Sequence, residues 1–359
     1  MRNHNMDIIR GLAVLGLMYM NAYSFGLFEF GYVPLTEPPI SDHIIQWLSL
    51  IFVDGRFRSL FCILFGVGLY IQWQRYQQIE QLKQRLKILA VFGLLHGFLL
   101  WAGDILLIYA CAGWLVIKFL DANDELLLKR GWQFLLLGMG ITVLITLADP
   151  HISHYRDSAE FIAIYNQQQG SAIDIVTNNS VMFLVMIVVI PLITLWMTAG
   201  LMLFGIYGYK NNLFTTGLPK LWRVRVLLIA ILLSAIRISF EYQSSLLLSA
   251  LKEPINWLAA LFTALLMIHF VVTLKRKYGF YFKPLQCSGK LALTLYIMQT
   301  VSLLLLFKVF FAQWVLSFNR IEYWLLVSTL VAAQLAFSVI YLRYFKQGPL
   351  EYIWRKLSR

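Results

Sequence analysis

Apolar residues dominate this chain in long stretches that short polar segments interrupt. A helix needs about 20 mostly apolar residues to cross a hydrocarbon core of about 30 Å. Ten stretches approach or exceed that length, and they are 8–27, 58–74, 86–102, 104–120, 131–148, 181–208, 224–242, 255–274, 289–311 and 323–343. Because lipid cannot satisfy backbone hydrogen bonds, these stretches are predicted to be helices. The pattern therefore predicts an all-α, polytopic membrane helix bundle of about ten transmembrane helices, in a single domain over residues 1–359.

Two segments between the predicted spans are long, and both lie on the side of the membrane opposite the N-terminus. Segment 28–57 contains an apolar stretch, 44–53, that is too short to cross a bilayer. This stretch is predicted to form a re-entrant or interfacial helix. Segment 149–180 is polar and is predicted to be an external loop.

Composition and charge support the membrane interpretation. Hydrophobic residues make up 60% of the chain and charged residues 13%, against about a quarter charged in soluble proteins. This excludes a soluble enzyme and a nucleic-acid-binding module, and makes the lipid bilayer the expected partner. With the N-terminus in the cytoplasm, most of the 30 basic residues fall in cytoplasmic segments, as the positive-inside rule requires. The charge pattern thus predicts that both termini are cytoplasmic, and it explains the net charge of +12 without nucleic acid.

Polar side chains within the spans point to a site, because each costs roughly 2.5–3.5 kcal/mol on insertion scales. His96 lies about 13 Å from Lys87 and about 10 Å from Gly103 along a helix, which places it near the middle of the bilayer. A neutral imidazole held by a partner at one nitrogen suits a general base. The alternative is a histidine that only bonds a neighbouring helix for packing.

Asp104 follows in the very short connection between the third and fourth predicted spans. Its carboxylate could orient His96 as a second catalytic residue or hold a polar substrate. It could equally cap the N-terminus of the next helix, where orphan amides and the helix dipole favour an acid. The two residues are eight apart, so a direct bond requires a tight turn, and otherwise a water bridges them.

Four further charged residues are candidates for substrate binding on the outer side. Arg56 and Arg58 stand just outside the second predicted span and break the positive-inside pattern, so they are expected to bind substrate, to snorkel toward lipid headgroups or to pair with Asp54. Arg237 and Glu241 are four residues apart on one helix face. They form a mutual ion pair or line a polar cavity.

The first span carries three more polar candidates. Asp7 and Arg10 lie three apart at its cytoplasmic end, where they form a local pair and headgroup anchor or shape the cytosolic mouth of a cavity. Asn21 lies roughly 16 Å further along the helix and is a candidate for substrate binding on the same cavity wall. We expect these side chains from separate helices to converge on one polar chamber. No metal is expected, because no three ligands have a suitable spacing.

Four stretches in chain order resemble a known family. They are the DIIRGLA opening at 7–13, the segment 57–66, the pair 95–97 with 103–110, and the pair 289–299 with 348–355. Together they resemble the YeiB-type bacterial membrane proteins, which are related to transmembrane acyltransferases such as the heparan-α-glucosaminide N-acetyltransferase. The resemblance covers nearly the whole chain.

The resemblance implies transfer of an acyl group from a cytosolic acyl-CoA, the donor substrate, to a hydroxyl or amine acceptor outside. The acceptor would be a small molecule, a glycan or a lipid, and the location the bacterial cytoplasmic (inner) membrane, in a multi-pass topology. In the lysosomal relative the histidine precedes the second span, and the nearest histidine here is His43, so the family's histidine role stays open between His43 and His96. The alternative functions are a transporter or lipid-handling protein and a non-catalytic membrane partner. Whether the chain forms a homodimer is left open.

Overall fold

Every regular element in the described part of the chain is helical. The computed structural model describes residues 4–27, 30–148, 154–167, 170–243, 245–279 and 281–358. The α-helices are α1 His4–Asn21, α2 Ile40–Phe52, α3 Arg56–Tyr76, α4 Ile79–Leu99, α5 Leu106–Val116, α6 Asp124–Ala148, α7 Ala159–Gln167, α8 Ala172–Lys210, α9 Leu213–Thr216, α10 Lys220–Glu241, α11 Leu246–Tyr278, α12 Lys283–Lys290, α13 Ala292–Leu304, α14 Trp314–Ser317, α15 Arg320–Tyr344 and α16 Pro349–Leu357. Short 3₁₀ turns follow α1 and α5, and a π-helical segment follows α13.

Six helical segments are long and apolar enough to cross a membrane, which confirms an all-α, multi-pass membrane protein. They are His4–Phe25, Asp124–Ala148, Pro191–Lys210, Leu246–Tyr278, Ala292–Phe310 and Arg320–Tyr344. The other four predicted spans lie on α3, α4, α5 and α10, which do not meet the same length and apolarity criterion. The count of ten and the cytoplasmic placement of both termini stay predictions.

Helices occupy much of the two long segments predicted to be external. The apolar stretch within 28–57 belongs to α2, and α7 lies within 149–180. Helix α8 begins at Ala172, well before the predicted span 181–208. Its early start has a local cause, because Ser171 and Asp174 form a reciprocal capping box.

The buried core lies between the helices that frame the site. Fully buried apolar side chains from α1, α3, α5, α8 and α13 meet there, including Ile9, Leu60, Ala112, Leu203 and Leu295. Helices α6, α10 and α15 instead carry exposed apolar side chains, among them Leu144, Leu228 and Leu325. An apolar periphery of this kind is what a helix bundle presents to lipid.

Two glycines bring α1 and α12 into backbone contact. A Cβ on Gly11 would lie 1.9 Å from the carbonyl oxygen of Leu285, and one on Gly289 would lie 1.8 Å from that of Asp7. Because neither position tolerates a Cβ without a shift of backbone, the crossing fixes the start of α13 beside α1. This crossing positions two walls of the cavity described below.

We expect Gly289→Ala to destabilise the protein by about 1–3 kcal/mol, because the added methyl overpacks a backbone contact. The measurement is thermal unfolding of the purified protein in detergent. Gly140→Ala is the matched control, since a Cβ at Gly140 meets nothing within 4 Å, and alanine there raises helix propensity. Equal unfolding temperatures for the two variants would contradict the close crossing.

Candidate functional site

One cavity of about 390 Å³ lies between α1, α3, α4, α5, α12, α13 and α16. Its size is typical of small-molecule and cofactor sites. One end is lined by charged side chains and the other by apolar and aromatic ones. The charged end comprises Arg10, Arg85, Lys290, Lys346, Glu351, Trp354 and Arg355. The apolar end comprises Phe61, Phe65, Ile105, Tyr109 and Tyr296.

The charged end, which we call the mouth, is strongly basic. It is lined by five cations and by one acid, Glu351. In the described part of the chain, Lys290, Lys346 and Arg355 form no ion pair. Uncompensated lysines and arginines around one opening attract phosphates and other polyanions.

Two side chains of the C-terminal helix α16, Glu351 and Trp354, hold this helix over the mouth. The Glu351 carboxylate accepts hydrogen bonds from the backbone N–H groups of Leu293, at 2.8 Å, and Thr294, at 3.1 Å, and so caps the first turn of α13. The indole of Trp354 donates to the backbone oxygen of Arg85 at 3.0 Å, and the Arg85 guanidinium lies 4.7 Å from the Trp354 ring centroid.

Arg85 immediately precedes the predicted span 86–102, and it is largely buried at the mouth. Burial, followed by the charge of nearby Arg355, lowers the pKa of Arg85 below its usual value. A bound anion would stabilise Arg85 and Arg355 together, because it offsets the repulsion between their charges.

The apolar end of the cavity is closed by aromatic rings. Phe61 on α3 stacks on Tyr109 on α5, with ring centroids 5.6 Å apart. The Tyr296 hydroxyl accepts a hydrogen bond from the Ile105 N–H at 3.4 Å, and its ring centroid lies 5.0 Å from that of His96. Tyr296 is therefore the wall between the cavity and His96.

Behind this wall, His96 forms hydrogen bonds at both ring nitrogens. Nδ1 lies 2.9 Å from Oδ1 of Asp104, and Nε2 lies 3.0 Å from Oγ1 of Thr300. The three residues are 3%, 2% and 1% exposed, respectively. The direct bond forms because α4 ends at Leu99 and a tight turn carries the chain back to α5. His96 therefore lies in the last turn of α4.

Asp104 bonds both His96 and the first turn of α5, and its catalytic role stays a prediction. Its Oδ1 faces His96, while its Oδ2 accepts a hydrogen bond from the N–H of Leu107 at 2.8 Å, in the first turn of α5. Gly93 on α4 makes room for this arrangement, because a Cβ there would lie 2.7 Å from Oδ2 of Asp104. The carboxylate thus fixes the imidazole and caps a helix at the same time.

The predicted outer substrate-binding residues form a second, separate cluster around α2, α3, α10 and α11. The fully buried Arg56 donates to the backbone oxygen of Ile51 at 3.1 Å, to Ser234 at 3.3 Å and to the side-chain oxygen of Asn256. It also donates to the backbone oxygen of Asp54 at 2.5 Å, rather than to its carboxylate. These contacts tie α3 to α2, α10 and α11. The expectation that all the candidates converge on one chamber is therefore wrong, because spacing along a helix fixes a face but not the neighbouring helix.

The remaining members of this second cluster differ in whether their polar atoms have partners in the protein. Arg237 forms the ion pair with Glu241 that their spacing predicts, at 2.6 Å, and Gln46 also donates to Glu241 at 3.2 Å. The Arg58 guanidinium lies 4.0 Å from the ring centroid of Trp257, and its buried Nε has no hydrogen-bond partner in the described part of the chain.

The candidates on α1 also separate. Asp7 and Arg10 form their predicted local pair at 3.2 Å, and Arg10 lines the mouth of the cavity. Asn21 is the last residue of α1 and does not line this cavity. His43 lies on α2, which contributes no lining residue to the cavity.

The sequence patterns missed Thr300, Tyr296, Tyr109 and the basic residues of α16. A signal for most of them was nonetheless present, because each stretch that carries the family resemblance contributes to the cavity or the wall behind it. Stretch 7–13 contributes Arg10, 57–66 contributes Phe61 and Phe65, 103–110 contributes Ile105 and Tyr109, 289–299 contributes Lys290 and Tyr296, and 348–355 contributes Glu351, Trp354 and Arg355. Thr300 lies immediately after stretch 289–299.

We expect Asp104→Ala to destabilise the protein by about 2–4 kcal/mol, because it removes a helix cap and leaves Nδ1 of buried His96 without its partner. Thermal unfolding of the purified protein measures this. Asp124→Ala is the control, since Asp124 and Lys210 form a solvent-accessible pair at 3.3 Å, worth at most about 1 kcal/mol. A loss no larger for Asp104→Ala than for the control would show that the Asp104 contacts contribute little.

Comparisons with known proteins agree with the resemblance in the sequence. Residues 208–359 match the family model described as a protein of unknown function (DUF418). The chain is 28% identical to the uncharacterized protein YeiB of Escherichia coli K12, over 99% of this chain and 96% of that protein. It is 28% identical to an uncharacterized 39.9 kDa protein encoded in the amylase 3' region of Bacillus acidopullulyticus, over 98% and 92%, and 22% identical to the uncharacterized protein YxaH of Bacillus subtilis, over 98% and 93%.

No solved structure matches the chain. None of the three relatives carries the name of an activity, so the link to acyltransferases stays a proposal. The expected resemblance is confirmed: residues 208–359 carry a DUF418 domain, and the chain is homologous over nearly its whole length to YeiB-type proteins.

Proposed function

We propose that this chain is a membrane-bound acyltransferase of the bacterial cytoplasmic membrane. It moves an acyl group from a cytosolic acyl-CoA to a hydroxyl or amine acceptor at the outer side. The observation that carries the proposal is a single cavity that runs from a basic mouth to the aromatic wall in front of the His96–Asp104 pair.

The two ends of the cavity match the two ends of an acyl-CoA molecule. The phosphates of CoA are anionic and suit the cations of the mouth, of which Lys290, Lys346 and Arg355 have no competing ion pair among the described residues. The pantetheine arm and acyl group are less polar and suit the leucine- and phenylalanine-lined interior. Along α4, Arg85 and His96 are separated by about 16 Å, a length that an extended pantetheine arm can span.

His96 is the proposed general base. Asp104 accepts a hydrogen bond from the Nδ1–H group, so the lone pair of Nε2 can take up a proton during transfer. The donor thioester would lie at the closed end of the cavity, next to the Tyr296 ring. Because Tyr296 separates this end from His96, its side chain must rotate for the reaction to occur.

The second cluster is the proposed binding region for the acceptor, because its residues are separate from the lining of the cavity. Arg56 is committed to protein partners and holds the helices in place, and Arg237 pairs with Glu241, while its Nε has no hydrogen-bond partner among the described residues. Arg58 has hydrogen-bonding capacity left on its guanidinium and stacks on Trp257. An arginine beside an indole ring suits a hydroxylated acceptor.

We expect acetyl-CoA at 100 times its dissociation constant to stabilise the purified protein by about 2.7 kcal/mol. The double variant Lys290→Gln/Arg355→Gln removes two mouth cations, so the stabilisation at the same concentration should largely disappear. Lys220→Gln is the control, because Lys220 is exposed at the start of α10, away from the cavity. Thermal unfolding with and without acetyl-CoA measures both. Identical stabilisation of the two variants would contradict the proposed donor site.

We expect His96→Ala to lower acyl transfer by 10²–10⁴-fold, the range that general-base catalysis supplies, while the protein stays folded. His43→Ala should transfer at the wild-type rate, which decides between the two histidines. The measurement is release of free CoA from acetyl-CoA by protein in liposomes, with D-glucosamine as the probe because it offers both hydroxyls and an amine.

Wild-type turnover in His96→Ala would contradict the assignment of the base. Acetyl-CoA-dependent stabilisation without any release of CoA, together with passage of a labelled ligand across the liposome, would favour a transporter or lipid-handling protein instead.

A further inference from the structure

Thr300 completes a chain of hydrogen bonds behind the aromatic wall. It lies on α13, one turn beyond Tyr296, and its Oγ1 lies 3.0 Å from Nε2 of His96. The other ring nitrogen of His96 faces Asp104 at 2.9 Å. A carboxylate, an imidazole and a hydroxyl in this order form the arrangement that activates hydroxyl nucleophiles on several unrelated folds.

The contacts of Thr300 differ from those of three other helical threonines that bond only a backbone carbonyl through their hydroxyl. Thr142, Thr263 and Thr329 donate to the carbonyl four residues back at 2.9, 2.8 and 2.9 Å. The corresponding distance from Thr300 to the carbonyl of Tyr296 is 3.4 Å, whereas His96 is closer. The Thr300 hydroxyl has therefore turned from its own helix backbone toward the imidazole.

The positions of the protons follow from the same contacts. A carboxylate only accepts hydrogen bonds, so Nδ1 of His96 carries the proton that it donates to Asp104. In the neutral imidazole Nε2 then has a free lone pair, and the Thr300 hydroxyl donates to it. The hydroxyl proton of Thr300 thus points at the atom that would accept it during nucleophilic attack.

We propose that Thr300 is the covalent nucleophile of this site and that the acyl group passes through an ester on its Oγ1. The inference rests on the proposed function and deepens it. In the first step Oγ1 attacks the thioester carbonyl carbon, its proton moves to Nε2 of His96, and the C–S bond breaks. The CoA sulfur leaves with that proton.

In the second step the acceptor hydroxyl or amine attacks the ester carbonyl, and its proton moves to Nε2 of His96. The bond between the carbonyl carbon and Oγ1 breaks, and Thr300 regains the proton. Atoms and charges balance, with acyl-CoA and the acceptor as the reactants. An acyl-enzyme also lets donor and acceptor use the site in turn, which suits a cavity that opens on the mouth side while Thr300 lies beyond its closed end.

The test is acylation of the purified protein without any acceptor, followed by intact-mass measurement and peptide mapping. The donors are acetyl-, propionyl- and succinyl-CoA. Wild type and Thr300→Ser should gain the mass of the acyl group at position 300. Thr300→Val keeps the shape but lacks the hydroxyl, so it should gain none, and its transfer rate should fall on the order of 10³-fold or more.

Thr142→Val is the matched control, because Thr142 is also buried in a helix but its hydroxyl donates to the backbone carbonyl of Gly138. It should form the adduct as wild type does, and thermal unfolding should confirm that all variants fold. Wild-type transfer by Thr300→Val, or turnover by wild type without an adduct at position 300, would overturn the covalent step while His96 remains the base of a direct transfer. Failure of wild type to bind or consume any acyl-CoA would overturn the proposed function itself.

Discussion

His96 is buried and hydrogen bonded at both ring nitrogens, to Asp104 and to Thr300. The bond to Asp104 requires the tight turn between α4 and α5, and the bond to Thr300 requires that α13 lie beside the end of α4. A buried polar group left without partners costs about 1–3 kcal/mol, so this meeting point is tightly specified. Asp104 ties it to the start of α5 through the Leu107 N–H. The ends of three helices are therefore fixed relative to one imidazole.

The rest of the bundle places a cavity in front of that imidazole. The crossing of α1 and α12 at Gly11 and Gly289 determines where α13 begins, and Glu351 caps α13 from α16. The same few contacts thus build the basic mouth at one end and position Tyr296 at the other. An amphipathic ligand with an anionic head would meet each of these features in order. The second cluster is a separate assembly, in which Arg56 links helices rather than facing the cavity.

The sequence could predict what depends on local pattern. Long apolar runs predict the helices, and spacings of three and four residues predict the pairs Asp7–Arg10 and Arg237–Glu241. The cost of a polar group in lipid singles out His96. What it could not predict is which helices are neighbours. Thr300 is 204 residues from its partner His96, and a threonine in an apolar helix is unremarkable by itself. For the same reason, the prediction that Arg56, Arg58 and Arg237 share one chamber with the other candidates is wrong.

We propose that the cavity delivers an acyl thioester to His96 and Thr300. An experimental structure of the protein in a lipid nanodisc, with a CoA analogue whose thioester is replaced by a non-cleavable ketone, tests this delivery. We expect phosphates beside Lys290 and Arg355, a rotated Tyr296, and the carbonyl carbon next to Oγ1 of Thr300. A ligand bound outside this cavity, or one that enters it with its phosphates away from the mouth, would rule out this delivery.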